Sequence, residues 1–308
     1  MSKIVVIGSS NTDLIAKVEE FPKVGETIKG ISYLQVMGGK GANQAIAAHR
    51  LGGDVRFITS LGNDSNGLNT LEYFKTEGLD ASLSLMVNNT PSGVAMIWVN
   101  NDGENSIVII PGANNELKPL YINQIENEIL MADLIVLQME IPYETVKYIC
   151  DFAYNNNKQV ILNAAPATKL DADIINKIDI LVVNETEAEI IFGEDIKVLG
   201  EEAMADKLLG LGAKNVVLTL GKNGSILKSG HTFLRVPAFT VNTVDSTAAG
   251  DTFCGALATE LSKGHSWKQT LEYASAAAAI CVTRMGAQPS IPREDEVVSF
   301  LNAQALNH

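Results

Sequence analysis

The sequence lacks most of what would mark a metal protein, a secreted protein or a membrane protein. It has three cysteines, Cys150, Cys254 and Cys281, an odd number with no CxxC pair. A disulfide framework or a zinc site is therefore not expected, and a reducing cytoplasm is. The four histidines, His49, His231, His265 and His308, are scattered and offer no cluster to a metal. No apolar run approaches the ~18 residues that a membrane span needs. Residues 1–8 are apolar over too short a stretch for a signal peptide and read as a first buried strand. Positive charge is scarce: 23 Lys and Arg stand against 36 Asp and Glu, a net charge of −13. That balance disfavours nucleic acid or an anionic membrane as partners. An anionic ligand would have to be held locally, by backbone amides, a few cations or bound metal ions. Internal repeats and low-complexity segments are absent as well.

What is present is the composition of an ordinary globular protein. Of 308 residues, 46% are hydrophobic and 19% charged, enough apolar matter for a large core in one or two domains. Strand-like and helix-like patterns alternate. Strands are expected at 3–8, 55–61, 134–138, 160–163, 180–184, 216–220 and 241–245. Helices are expected at 41–51, 67–77, 143–155, 251–261 and 267–283. The runs Leu134-Ile135-Val136-Leu137, Val160-Ile161-Leu162 and Val216-Val217-Leu218 are continuously apolar, which suits strands covered by helices on both faces. The fold class is therefore α/β with a mainly parallel sheet. Ligands of such sheets bind beyond the carboxyl ends of the strands, where Gln138, Glu140, Asn163, Asn184, Thr219 and Gly221 stand. Two segments break the alternation, 12–38 and 90–110. The second pairs Ala95-Met96-Ile97-Trp98-Val99 with 107–110 across an Asn101-Asp102-Gly103 turn, a hairpin signal. Together they read as a small β layer that acts as a lid, or as an edge extension of the main sheet.

Several short stretches could carry chemistry. Gly38-Gly39-Lys40-Gly41-Ala42-Asn43 opens a helix but fails the Walker A pattern, because Leu34 stands where Gly is required and no Ser or Thr follows Lys40. It reads as a tight turn with Lys40 and Asn43 as donors to a polyhydroxy ligand or an anion, or as a purely structural glycine turn. Asn11-Thr12-Asp13 offers an amide and a carboxylate suited to sugar hydroxyls, or a turn or cap. Ser246-Thr247-Ala248-Ala249-Gly250 leads small residues into a helix at Asp251. Free amides there would receive developing negative charge, and the carboxylate could accept a hydroxyl proton. The alternative for Asp251 is a plain helix cap. Asn184 and Glu187, three apart at a helix start, could hold Mg²⁺ directly or through water, or form a capping box. The turn Thr219-Leu220-Gly221-Lys222-Asn223-Gly224 would lie along a nucleotide, or simply close a hairpin.

These pieces together resemble the ribokinase family, the PfkB carbohydrate kinases. The two signatures are Gly38-Gly39-Lys40-Gly41-Ala42-Asn43-Gln44-Ala45 and Asp245-Ser246-Thr247-Ala248-Ala249-Gly250-Asp251-Thr252-Phe253, with Asn184-x-x-Glu187 and Thr219-Leu220-Gly221 between them. The likeness covers essentially the whole chain. It is strongest to members that use ribose, through Leu137-Gln138-Met139-Glu140-Ile141-Pro142, Asn163-Ala164-Ala165-Pro166 and Arg284-Met285-Gly286-Ala287-Gln288-Pro289-Ser290.

The resemblance implies a three-layer core over 1–11, 39–89 and 111–308, with a β-sheet lid at 12–38 and 90–110. It implies transfer of the ATP γ-phosphate to O5 of D-ribose, giving D-ribose 5-phosphate. Asp251 would be the base, and the amides of Ala248, Ala249 and Gly250 the anion hole. Ribose would meet Asn11, Asp13, Gly39, Lys40, Asn43 and Glu140. The nucleotide would meet Asn184, Thr219, Gly221, Lys222, Gly224, Gly250 and Ser275. Mg²⁺ is implied at Asn184 and Glu187, and K⁺ at Asp245, Thr247, Cys281, Arg284, Gly286 and Ser290, mostly through backbone oxygens. A homodimer joined through the lids is implied too. The sequence departs from the family's pattern at Cys254, where Asn is frequent, and at Ser275, where a larger polar residue often borders the adenine. Two alternatives remain at this stage. One is a related kinase for deoxyribose, fructose or a nucleoside. The other is a non-catalytic sugar-binding protein on the same scaffold.

Overall fold

The computed structural model describes residues 3–306. Its middle layer is an eight-stranded sheet. In spatial order the strands are Thr232–Val236, Ser225–Ser229, Asn215–Thr219, Ile180–Asn184, Gln159–Asn163, Leu134–Gln138, Ile4–Ile7 and Val55–Ile58. From Asn215–Thr219 onward all pairings are parallel, and the first two strands are added as antiparallel hairpins. Side chains alternate across a strand, so each apolar run feeds two cores. Val5, Ile7, Ile135, Leu137, Val160 and Leu162 face one layer of helices, which includes Tyr143–Asn155. Ile4, Val6, Leu134, Val136 and Ile161 face the other, which includes Lys40–Arg50, Ala249–Ser262 and Trp267–Cys281. That is a three-layer α/β fold, as the continuous apolar runs require.

Segments 12–38 and 90–110 carry a separate four-stranded sheet, ordered Ser32–Gly38, Asn11–Lys17, Gly93–Val99, Asn105–Ile110. The expected hairpin is the antiparallel pair Gly93–Val99 and Asn105–Ile110, with Trp98 opposite Ser106. The chain leaves the main sheet at Ser9–Ser10 and comes back at Gly39, and the two passages touch. A Cβ at Gly39 would lie 2.7 Å from the Asn11 amide nitrogen, and its φ is +90°. Only glycine satisfies both conditions without strain. The crossings at Gly93 and Pro111 meet the same spot, since a Cβ on Gly93 would strike the side chains of Asn11 and Asn114.

Two expected strands differ. Residues 55–61 form two pieces, Val55–Ile58 in the main sheet and Ser60–Gly62, which pairs with Leu85–Val87. Residues 241–245 are not a strand. The sheet ends at Thr232–Val236, and the amides of Val244 and Asp245 both donate to Val282 O instead of to a neighbouring strand. The β-branched residues there supplied propensity without an edge to pair with.

Candidate active site

The carboxyl ends of the parallel strands form one line of polar groups. Gln138 sits beside Asn163, and Asn184 beside Thr219. The chain turns to opposite sides of Ile4–Ile7, toward Val55–Ile58 and toward Leu134–Gln138, so a crevice opens beyond Ile7. Ser9, Asn11, Asp13, Gly39, Lys40 and Glu140 gather there.

Asp251 lies on the first turn of Ala249–Ser262, a helix that Ala248 caps in the left-handed region at φ 60°. No side chain caps this end. Asp251 is therefore not the cap that an acid at a helix start usually is. It is 7% exposed, with Oδ2 accepting from Asn43 Nδ2 at 2.9 Å and Oδ1 from Gln44 Nε2 at 3.0 Å. Of the three amides expected to form an anion hole, that of Ala249 donates to Ser246 O at 3.3 Å. Those of Ala248 and Gly250 are among the helix's unpaired first donors. Gly250 is exposed at this rim.

Across the crevice, Asp13 projects from the small sheet and is 7% exposed. Burial, then Glu140, then Asp251 push its pKa up to about 7. A Cβ on Gly38 would fall 2.1 Å from the Asp13 carboxylate, so the glycine makes room for that side chain. Glu140 is held by Ser9 Oγ at 2.6 Å and by the Lys40 amide at 3.1 Å, both on Oε2. The Lys40 ammonium is surrounded by acids. Asp251 above all, then Glu140 and Glu187, hold its pKa above the usual value although burial works against them. It is therefore a firm local cation in a chain of net charge −13. Asn11 is buried, and its Oδ1 already accepts from Asn114 Nδ2 at 2.8 Å. Only its amide hydrogens remain for a ligand.

Farther along the strand ends, Asn184 and Glu187 form a reciprocal capping box, with Oδ1 accepting from the Glu187 amide and Glu187 Oε2 from the Asn184 amide, each at 2.8 Å. That box occupies one Glu187 oxygen. Burial raises the Glu187 pKa. Thr219 ends its strand, Gly221 and Lys222 are exposed in a 3-10 turn, and Gly224 is buried with φ +92°. Ser275 is buried in Trp267–Cys281.

Asp245 ties two loops together. Its Oδ1 accepts from the Thr247 amide at 2.9 Å and from Thr247 Oγ1 at 2.6 Å, and its Oδ2 from the Gly286 amide at 2.9 Å. Burial pushes its pKa up, but these donors outweigh burial and hold it below the usual carboxylate range. Cys281 donates its thiol to Thr247 O at 3.6 Å and lies 3.0 Å from Ser290 Oγ, which donates to Ala287 O. Burial raises the thiol pKa, so Cys281 is no thiolate ligand. The Arg284 guanidinium pairs with Glu296 at 2.5 Å, which leaves only its backbone to this region. Among the described residues no group of three or more His, Cys, Asp and Glu side chains could hold a metal ion.

A fold of this layout has known counterparts. The profile of the pfkB family carbohydrate kinases matches residues 1–294. The chain belongs to that family. The ribokinase of Haemophilus influenzae is 39% identical over 302 residues, covering 97% of this chain and 98% of that protein. The deoxyribokinase of Salmonella typhimurium is 37% identical over 301 residues, covering 97% and 98%. A solved structure of Arabidopsis thaliana ribokinase complexed with ribose and ATP is 34% identical with a TM-score of 0.91, covering 97% of this chain and 98% of that one.

Several residues that shape the site in this PfkB-family kinase are not marked out by local sequence pattern. Gln44 stood inside a signature as one more helical residue. Ser9 and Asn114 sit in connecting loops, where nothing in the sequence says which side chain they will hold. Arg50, at the far end of Lys40–Arg50, is turned away from the crevice. It forms a buried pair with Glu77 at 2.7 Å and donates to Gln288 O and Ile291 O.

Proposed function

We propose that the protein phosphorylates D-ribose at O5 with ATP, giving D-ribose 5-phosphate and ADP. The observation that carries this reading is the placement of Asp251. It is buried, fixed through both oxygens, and set at an open helix start across from Asp13 and Glu140. Asp13, Glu140, Asn43, Gly39 and the amide of Asn11 bind the sugar. Lys40 and the open amides of Ala248 and Gly250 meet the charge of the phosphoryl group in line with the attacking oxygen, while Asp251 takes the hydroxyl proton. Thr219 to Gly224, Asn184 and Ser275 hold the nucleotide. The small sheet is a lid that excludes water when it closes.

Both metal ions fit the residues present. Mg²⁺ keeps several waters and relies on the substrate's phosphates, so one carboxylate, Glu187, suffices on the protein side. Asp245, with the carbonyls of Thr247 and Ala287 and the Ser290 hydroxyl nearby, is an all-oxygen set suited to K⁺. A bound K⁺ supplies fixed positive charge behind the anion hole. The three cysteines are free and buried, which suits a reducing cytoplasm.

A second acceptor is favoured by one observation, the near-equal similarity to a deoxyribokinase. ATP consumption measured over ribose, 2-deoxyribose, fructose and adenosine decides it. The expected order is ribose first and 2-deoxyribose second, with turnover dependent on Mg²⁺ and raised by K⁺. Turnover of adenosine with none of either pentose sinks this reading. Binding of ribose and ATP without turnover, with both ions present, makes the protein a binding module.

The lid also supports a homodimer. Its edge strand Asn105–Ile110 is exposed along its whole length, and Ile107, Val108 and Ile109 are each about half accessible, as is Leu34 on the opposite edge. Sedimentation equilibrium is expected to give a dimer for the wild type and a monomer for Ile109→Glu. A wild-type monomer removes the proposal.

A further inference from the structure

Gln44 is wholly buried at the start of the second turn of Lys40–Arg50, so it cannot touch a substrate. Its amide is nonetheless fully used. Nε2 donates to Asp251 Oδ1 and to Asn163 Oδ1, both at 3.0 Å, and Oε1 accepts from Gln138 Nε2 at 2.7 Å. The direction of this chain is fixed at its ends. An ionised carboxylate only accepts, and Asn163 turns its own Nδ2 to Val182 O at 3.3 Å, which leaves its oxygen toward Gln44. A flipped Gln44 amide would set carbonyl oxygen against both Asp251 and Asn163.

The backbone holds this arrangement rigid. Gly255 lies one turn beyond Asp251, and a Cβ there would fall 2.5 Å from Ala47 Cβ and 2.8 Å from Gln44 O. The missing side chain lets the two helices meet backbone to backbone. One turn farther, Thr259 Oγ1 donates to Ala48 O at 3.1 Å. The helix that bears the base and the helix that bears Gln44 thus approach as one unit.

We propose that Gln44 is a positioning residue: it fixes the rotation of the Asp251 carboxylate, so that the base meets the sugar hydroxyl in a single orientation. Asn43 takes the other oxygen but borders the crevice. Gln44 ties the carboxylate back to the ends of two central strands through Gln138 and Asn163. The proposal rests on the reading of Asp251 as the base.

The test is steady-state kinetics with ribose and ATP, together with thermal melts, on wild type, Asp251→Asn, Gln44→Met and Gln44→Glu. Gln44→Met keeps the length and removes the donor. Its kcat is expected to fall by about 10–100-fold, the scale of a misplaced catalytic group. The KM for ribose and for ATP stays within about twofold, since uniform binding is untouched. Gln44→Glu, nearly isosteric, falls further, because it sets a second carboxyl against Asp251. A residue that only packs would lower the melting temperature and leave kcat alone, with no penalty for Glu over Met. A folded Gln44→Met with wild-type kcat overturns the proposal. If that variant does not fold, the same kcat-against-KM comparison on Gln44→Glu decides. Failure of both to fold also overturns it, by making Gln44 a packing residue. Asp251→Asn separates the two readings. If it keeps turnover, the base reading fails and takes this one with it. If it is inactive while Gln44→Met is normal, only this proposal fails.

Discussion

Asp251→Asn is expected to lower kcat by about 10²–10⁴-fold, the usual contribution of a positioned general base. The KM for sugar and nucleotide changes little, because Asn keeps the shape and still fills the place between Asn43 and Gln44. The loss has two parts. Asn cannot accept the hydroxyl proton, and its NH2 sets hydrogens against one of the two side chains that now donate to Asp251. In a loose phosphoryl-transfer transition state the proton leaves late, so positioning weighs as much as basicity. Turnover at the wild-type rate in purified Asp251→Asn sinks the mechanism, whatever the sugar.

Asp13 gives the second large effect, and it runs in opposite directions for binding and for stability. Its pKa stands at about 7 in the sugar-free protein against 3.8 for an ordinary Asp. Between those values the folded chain holds a proton that the unfolded chain has released. Stability from this group is therefore full below pH 3.8 and is lost as the pH rises to about 7. Asp13→Asn removes the burden, so its sugar-free melting temperature should exceed that of wild type at pH 8 and match it below pH 4. The gain is on the order of a few kcal/mol. Sugar binding moves the other way. Each hydrogen bond from a hydroxyl to the ionised carboxylate contributes about 1.5–3 kcal/mol, so losing one raises the ribose KM by about 10–100-fold. Wild-type affinity should weaken as the pH falls from 8 to 6 and Asp13 takes up its proton, while Asp13→Asn stays flat. Melting curves and ribose titrations across pH check both halves. An Asp13→Asn protein that melts lower at pH 8 and binds ribose as tightly as wild type refutes the argument.

The sequence revealed the framework more readily than the contacts. Leu134–Gln138, Tyr143–Asn155 and Ile180–Asn184 were read to the residue. Doubly buried strands and an amphipathic helix leave unambiguous patterns. The stretch at 241–245 misled because Val241, Thr243 and Val244 carry β propensity whatever their neighbours, and pairing needs a free edge. The site shows the same division. Asp13, Asn43, Glu140 and Asp251 are visible as candidates at strand ends and helix starts, but each also suits a turn or cap, and only the family resemblance gives them roles. Gln44, Ser9 and Asn114 are not visible in this way, since each acts through a side chain distant in sequence, Asp251, Glu140 and Asn11 respectively. Local pattern records which face a residue occupies. It does not record which partner the fold delivers to that face.

The small sheet is joined to the core where its crossings converge around Asn11, Gly39 and Gly93. Residues 19–31, at the far end of the sheet, are exposed or only partly covered. The outer end of that sheet can therefore vary without crowding the core. A changed side chain there meets mostly solvent and leaves the packing of Asp251 and Gln44 undisturbed. The junction itself has no such freedom, because it holds a glycine that cannot gain a Cβ and an asparagine already engaged by Asn114.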